Sequence, residues 1–300
     1  MEHSQKAMTP IALSRAAKYS VIALSLTLGL LAACGSDEEV KDVALTTQVE
    51  TTTTIAPERS AEDQAVVDVA TSLCEAYGGL DRPGAVDELV ALMADDIVVT
   101  DTVLGADLTG TDAVRAYVTS DAFAGVDTMA CGAAIQRGGW VAGTYTLSSS
   151  ATGAGGQGIA AVHVSEGKVD RQVNYYTAVE SGATAPSNDT LADSVFLDYC
   201  HAWDDGVDAD AVLSYMSAEP ELQVVTTLSG ADAIREFIDN SFDFDQNDCD
   251  DVAVVNGDWG AAANTFTNSA NGTSIQGVNI VQIDADGKIA RHFVHMEAPV

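Results

Sequence analysis

Residues Gln157-Gly-Ile-Ala-Ala-Val-His-Val-Ser-Glu-Gly-Lys-Val-Asp-Arg171 occur a second time, as Gln276-Gly-Val-Asn-Ile-Val-Gln-Ile-Asp-Ala-Asp-Gly-Lys-Ile-Ala-Arg291. Each copy reads as a β-hairpin: an apolar strand of period two, an acidic turn ending in Gly-Lys, and a return strand. A tryptophan (Trp140, Trp259) and a Thr-aromatic-Thr strand (Thr144-Tyr-Thr146, Thr265-Phe-Thr267) precede each. The chain is therefore expected to be a tandem duplication, with one repeat over 64–180, a Ser/Gly/Pro-rich join over 181–188 and a second repeat over 189–300.

Working outward, the first repeat shows helical spacing over 65–77 (Val66, Val67, Ala70, Leu73). A second helix opens at Pro83 with Val86, Leu89, Val90 and Met93 inward. A strand follows over 97–101, then a helix over 111–119 capped by Thr111 or Gly110. Strands over 129–136, 140–148, 159–164 and 169–176 close the unit. The second repeat keeps the order, with helices at 190–203, 208–217 and 231–239, a strand at 222–226 and four more strands. Helices first and a long antiparallel sheet after predict an α+β fold.

The N-terminus reads as an address. Lys6, Arg15 and Lys18 precede an apolar run over 21–33, too short for a stable membrane span. The run ends in Leu31-Ala-Ala-Cys34-Gly35, which resembles the bacterial lipoprotein cleavage box. That resemblance implies a signal peptide over 1–33, acyl chains on Cys34, and a membrane anchor outside the cytoplasm. A plain secretory signal with an incidental cysteine is the alternative. Residues 34–63, rich in Thr, Glu and Asp without apolar periodicity, read as a disordered tether reaching about 30 Å.

With Cys34 set aside, Cys74, Cys131, Cys200 and Cys249 remain, two per repeat. Disulfides persist outside the cytoplasm, and the expected bridges are Cys74–Cys131 and Cys200–Cys249. Cross-repeat pairing or free buried thiols are the alternatives. No Cys-x-x-Cys spacing points to zinc, and neither a metal nor a cofactor is expected. The formal charge of −32 makes nucleic acid and anionic lipid poor partners. Without the leader, 10 basic and 44 acidic residues remain, a balance suited to a salty solvent that screens self-repulsion. The acidic run 239–251 places Asp243, Asp245 and Asn247 at calcium-loop spacing, but Asp248 stands where that loop needs glycine. A solvated loop is the other reading.

The order helix-helix-strand-helix-strands, with Leu92-Met-Ala-Asp-Asp-Ile-Val-Val-Thr-Asp101 between helices, resembles the SnoaL-like, nuclear transport factor 2-like superfamily. Thr109-Gly-Thr-Asp-Ala-Val-Arg-Ala-Tyr117 and Ser229-Gly-Ala-Asp-Ala-Ile-Arg-Glu-Phe237 resemble its third helix. The resemblance implies two cone-shaped barrels, each a curved sheet wrapped around helices with a pocket at the open end, packed as an intrachain pseudodimer. The enzyme pattern it is most similar to is ketosteroid isomerase, which works with a shuttle carboxylate, a tyrosine and a protonated acid; that enzyme is a standard example of such tuning. Asp101 and Tyr77 match the first two, and Ala160 or Ile159 stands where the acid would be. In the second repeat Thr226 replaces the base, Trp203 lies near the tyrosine position, and Asn279 stands at the acid position.

Asp101 shares a strand face with Ile97 and Val99, so it either points into the cone as a proton carrier or caps the loop to Gly105. The return strands place Val169, Arg171, Val173 and Tyr175 on one face, and Ile289, Arg291, Phe293 and His295 on another. These faces are expected to line the cones, with Arg171 and Arg291 binding a carboxylate or forming internal ion pairs. The functional expectation is a lipid-anchored, non-catalytic binder of a small apolar or carboxylate-bearing organic molecule. The alternatives are an isomerase-like enzyme using Asp101 and Tyr77, or a cell-surface interaction protein with filled cones.

Overall fold

The computed structural model describes residues 59–120, 123, 126, 128–150, 152–181, 189–204 and 207–297, with side chains 189–193 left aside. The signal segment, Cys34, nearly all of the tether and the join after Ser181 lie outside them. In the first repeat, helices α1 (Ala61–Gly78), α2 (Ala85–Ala91) and α3 (Thr111–Val118) accompany strands β1 (Met93–Asp101), β2 (Ala106–Thr109), β3 (Thr128–Arg137), β4 (Trp140–Ser148), β5 (Gly155–Ser165) and β6 (Lys168–Val179). The second repeats them as α4 (Asp189–His201), α5 (Ala209–Tyr215), β7 (Met216–Gln223), β8 (Thr227–Ser229), α6 (Ala231–Asn240), β9 (Gln246–Asn256), β10 (Trp259–Asn268), β11 (Thr273–Ile283) and β12 (Ile289–Met296). The sheets run β2-β1-β6-β5-β4-β3 and β8-β7-β12-β11-β10-β9, one topology used twice. In each, the first strand lies parallel to the last and the other pairs are antiparallel. The fold is α+β, two tandem cones.

Local chemistry accounts for most boundaries. Ser60 caps α1 by accepting from the Asp63 amide at 3.1 Å, so the helix begins inside the expected tether. Gly84, left-handed at φ 83°, caps α2, which puts Pro83 before the helix rather than in its first turn. The strand expected at 222–226 is Met216–Gln223, and residues 224–226 form a bend. The short strands β2 and β8 carry too few residues for a period-two signal. The first copy of the hairpin turns on Glu166 and Gly167, both at positive φ (52° and 74°), as a two-residue turn of primed type requires, while the second takes a longer turn between Ile283 and Ile289 with Gly287 at φ 74°.

Each expected disulfide is present. Cys74–Cys131 ties α1 to β3, and Cys200–Cys249 ties α4 to β9, with Cα atoms 6.1 and 6.2 Å apart. These bridges, the paired tryptophans and the strand registers set the equivalences between repeats. Three residues past the bridged cysteine stand Tyr77 and Trp203. Five past the tryptophan stand Tyr145 and Asn264. Pairing of Trp140 with His163 and Trp259 with Gln282 makes Ala160 the counterpart of Asn279. Pairing of Val98 with Arg171 and Glu221 with Arg291 matches Gln172 to His292, and Asp101 to Val224.

The return strands are irregular, and this overturns the expected facing. A bulge at Asp170 shifts the register between His163↔Arg171 and Val164↔Val169; the second repeat does the same at Ala290. Val169 therefore joins the helix-facing core with Leu73, Ile97 and Val162. Beyond the bulge the parity flips, so Arg171, Val173 and Tyr175, like Arg291, Phe293 and His295, turn away from the helices. Gln172 and His292 take the cone side.

The faces turned from the helices meet each other. Tyr175 packs on Phe293 and Trp259, with ring centroids 4.3 and 5.6 Å apart, and its hydroxyl lies 3.0 Å from His295 Nε2. The contacts are reciprocal: Thr177 donates to Asp258 at 2.7 Å, while Glu297, the counterpart of Thr177, accepts from the Gly139 amide at 2.7 Å. Gly257 (φ 69°) backs onto Gln157, and its counterpart Gly138 (φ 60°) onto Gln276. One hydrophobic cluster consequently runs through both repeats, and both lie in a single compact unit, Thr54–Val300. The double substitution Cys74→Ser with Cys131→Ser is expected to lower unfolding stability by about 4 kcal/mol, because it frees a long loop in the unfolded chain. Denaturant titration checks this; a loss below about 1 kcal/mol would show that the bridge constrains little.

Candidate functional site

In the first cone, α1 delivers Tyr77 to the sheet, where its hydroxyl donates to Gln172 Oε1 at 3.3 Å. Around it stand Tyr117 on α3, Tyr145 on β4 and Tyr176 on β6. All four phenols are held well above their ordinary pKa, first by burial, and for Tyr117 and Tyr176 next by the charge of Asp101. They stay protonated, so they can donate to that carboxylate. Tyr117 does so at 3.4 Å, and the Tyr176 phenol feels the same charge. Asp101 is 6% exposed and shares the cone face with Gln172 and Asn174. Its other oxygen accepts from the amides of Val103 and Leu104 at 3.1 and 2.9 Å. Asp101 thus both faces inward and ties down the loop toward Gly105. The free space beside Tyr77, Tyr145, Ala160 and Gln172 is only about 50 Å³, and Asp101 is not in its wall.

The second cone carries other chemistry on the same frame. Trp203 takes the place of Tyr77, Asn264 of Tyr145, Asn279 of Ala160 and His292 of Gln172. Val224 takes the place of Asp101. Thr226 lies in the exposed bend two residues further on, because spacing counted along the sequence overran the shorter strand. Tyr199, one turn before Trp203, sits 2.8 Å from His292 Nδ1. The imidazole is fully enclosed, and burial holds its pKa down to about 3. A neutral ring results, and among the described residues no carboxylate pairs with it. Phe237, Phe242 and Phe266 pack edge-to-face around Trp203 and one another.

This cone opens into a cleft of about 940 Å³ that curls around the free end of β12. On one side lie Trp203, Phe242 and His292; on the other lie Trp140, Tyr175 and His295 from between the sheets. Among the predicted site residues, the cleft brings together Arg171, Tyr175, Trp203 and His295. Arg171 is exposed on its rim and forms no ion pair among the described residues. Arg291 is instead committed, to Glu221 at 3.3 Å and over the Phe293 ring at 5.1 Å. The calcium-like trio is dispersed: Asp245 binds Ser269, Asn247 donates to the Cys200 carbonyl, and Asp243 offers its backbone to Asn268. Alternation along the return strand, which put His295 toward the cone, leaves His292 on the opposite face, and neither Asn264 nor Tyr199 carries a signal in its local sequence. The bulge at Ala290 hid the first, and only alignment of the two repeats on their tryptophans exposes the others.

A family model described as SnoaL-like domain matches residues 196–292. Several solved structures are similar in fold. One is RV0760c of Mycobacterium tuberculosis in complex with estradiol-17β-hemisuccinate, 20% identical, covering 38% of this chain and 94% of that one, TM-score 0.32. A computationally designed 17-OHP binder is 21% identical over 38% and 91% of the two chains, TM-score 0.32. A Catenulispora acidiphila protein with a ketosteroid isomerase-like fold, in complex with trimethylamine, is 17% identical over 39% and 94%, TM-score 0.33. No curated protein matches the chain.

His292 makes stability depend on pH. Its folded pKa lies near 3 and its unfolded value near 6.5, so the unfolded state binds more protons between them. The contribution is whole above about 6.5 and declines as pH falls. Acidification to about pH 5 should cost about 2 kcal/mol through this side chain alone. His292→Gln, which installs the first repeat's own residue, should remove that part of the slope. Equal acid sensitivity in the variant and the parent, measured by urea unfolding, would contradict the assignment.

Proposed function

We propose that the chain is a lipid-anchored extracytoplasmic protein that binds a small organic ligand in the second cone and its cleft without transforming it. The observation that carries this reading is the contrast in free space on one framework: about 50 Å³ in the first cone, about 940 Å³ at the second. The latter falls in the roughly 300–1,000 Å³ range of small-molecule pockets, and its aromatic walls suit an apolar body. The isomerase-like alternative needs Asp101 and Tyr77 on one open cavity. Tyr77 borders a space too small for a ring system, Asp101 lies outside its wall, and the second repeat has valine in the carboxylate's place.

The reciprocal contacts between the sheets support an intrachain pseudodimer, with the first repeat serving as a rigid partner that walls one side of the cleft. Attachment through Cys34 and a location outside the cytoplasm rest on the cleavage-box sequence and on two disulfides, which need an oxidising compartment.

A thermal-shift screen of the full chain against steroids, polyketides and small aromatic acids should raise the melting temperature by several degrees for at least one apolar compound. Phe242→Ala should weaken that binding by about tenfold while Tyr77→Phe leaves it unchanged. Stabilisation by no compound at all would sink the binding reading. Separately, Cys34→Ser should abolish incorporation of labelled palmitate and move the protein from the membrane to the soluble fraction; unchanged labelling would refute the anchor.

A further inference from the structure

Among the described residues, Arg171 is the one lysine or arginine whose side chain makes neither a hydrogen bond nor an ion pair. Each of the others is bonded to a carboxylate or a backbone carbonyl. With 45 acidic residues in the chain against 13 basic ones, a guanidinium left free is the exception. The duplication shows which partner is missing. Arg291, the counterpart of Arg171, lies opposite Glu221 on the parallel neighbouring strand and pairs with it at 3.3 Å. Opposite Arg171 the same position carries Val98. The arginine occurs in both repeats and its carboxylate in only one.

The free guanidinium belongs to the wall of the large cleft, with Trp140, Tyr175 and His295. Burial first, and the charge of Arg171 next, hold the His295 pKa down to about 4, so that imidazole stays neutral. Two carboxylates share this wall, and His163 occupies both: Asp170 lies 2.5 Å from its Nδ1 and Glu297 3.0 Å from its Nε2. Glu297 accepts from the Gly139 amide as well. A third carboxylate, Asp243, stands on the second cone's side with Phe242 and Phe244. The net charge of −32 repels an anion at a distance. Salt at about 0.1 M confines that repulsion to about 10 Å, so direct contact with the guanidinium decides.

We infer that the cleft selects an apolar molecule bearing a single carboxylate, which takes the place at Arg171 that Glu221 takes at Arg291, while the body lies against the aromatic walls. The planar fork of a guanidinium offers two parallel N–H groups to the two oxygens of a carboxylate. An alcohol offers it one weaker acceptor, and an ammonium is repelled by it. This inference rests on the ligand-binding reading above and names the chemical class that the cleft prefers.

The test titrates the full chain calorimetrically at neutral pH with three probes of one ring system: 2-naphthoate, 2-naphthylmethanol and 2-naphthylmethylammonium. Naphthoate should bind about tenfold tighter than the alcohol, as a charge-assisted hydrogen bond at a solvent-facing rim supplies, and the ammonium should bind weakest. Arg171→Gln should erase the tenfold and leave the alcohol's affinity in place. Val98→Glu, which gives Arg171 the partner that Arg291 has, should erase it too, and Arg291→Gln should leave it intact. Arg171 and Val98 are both exposed, so neither substitution endangers the fold. Equal binding of naphthoate and the alcohol overturns the carboxylate assignment and leaves ligand binding itself standing. A preference that survives Arg171→Gln or Val98→Glu does the same, by placing the head group elsewhere. Tightest binding of the ammonium overturns it in favour of Asp170, Asp243 and Glu297. No binding by any probe removes both readings together.

Discussion

The contact between the two sheets is the constraint from which the remaining features follow. Three helices can cover one face of a six-stranded sheet, and the other face must still leave water. Here each repeat covers the other. Tyr175, Trp259 and Phe293 stack at the centre, the alanines and isoleucines of β5, β10 and β11 fill in around them, and Asp258 and Glu297 receive the hydrogen bonds at the margin. Joining the partners in one chain makes the association intramolecular and so insensitive to dilution. It also frees the two cones to diverge, because only one has to keep a cavity.

Within a shared frame of disulfide, hairpin and helices, a few interior positions set the difference between the cones. In the first cone, four tyrosines and a buried aspartate fill the interior, with Tyr77 bonded to Gln172 and Tyr117 to Asp101, leaving little room. In the second, the same positions carry Trp203, Asn264, Asn279 and His292, and the carboxylate gives way to Val224. Replacing Tyr145 by Asn264 and Asp101 by Val224 at equal backbone geometry removes a phenol ring and a charge, and Trp203, Val224 and His292 border the cleft. The free end of β12, beyond the last pairing with β7 at Phe293, lets that space run on into the gap between the sheets.

The few cations of so acidic a chain are placed with the same duplication. Arg115 pairs with Asp87 and Arg235 with Asp210, linking the second and third helices of each repeat. Lys168 meets the Ala91 carbonyl and Lys288 the Ser214 carbonyl, each at the end of a short helix where a positive charge is favourable. Such exposed pairs contribute little individually. Arg137 reaches across to Asp248 and Asp250 of the other repeat, where burial pushes the Asp250 carboxyl up and the guanidinium opposes it. Repulsion among the remaining carboxylates is left to solvent screening.

The amino-acid sequence alone was enough for the duplication, the α+β class, the order of the helices and of the strands other than the short β2 and β8, and both disulfides. Those follow from local periodicity and from counting two cysteines per repeat, and they need no knowledge of what packs on what. It also brought Arg171, Tyr175, Trp203 and His295 to attention, although for the wrong reason. Which face of each return strand looks into its cone was decided only in three dimensions. Both faces are buried, so alternation carries no sign, and a single bulge residue at Asp170 or Ala290 reverses every assignment beyond it. The tertiary structure likewise decided that Val224 rather than Thr226 stands opposite Asp101's role, and that one cone is filled while the other is open. Cavity volume depends on the summed fit of side chains from α6, the turn after α4 and seven strands of the two repeats, a quantity no local stretch of chain contains.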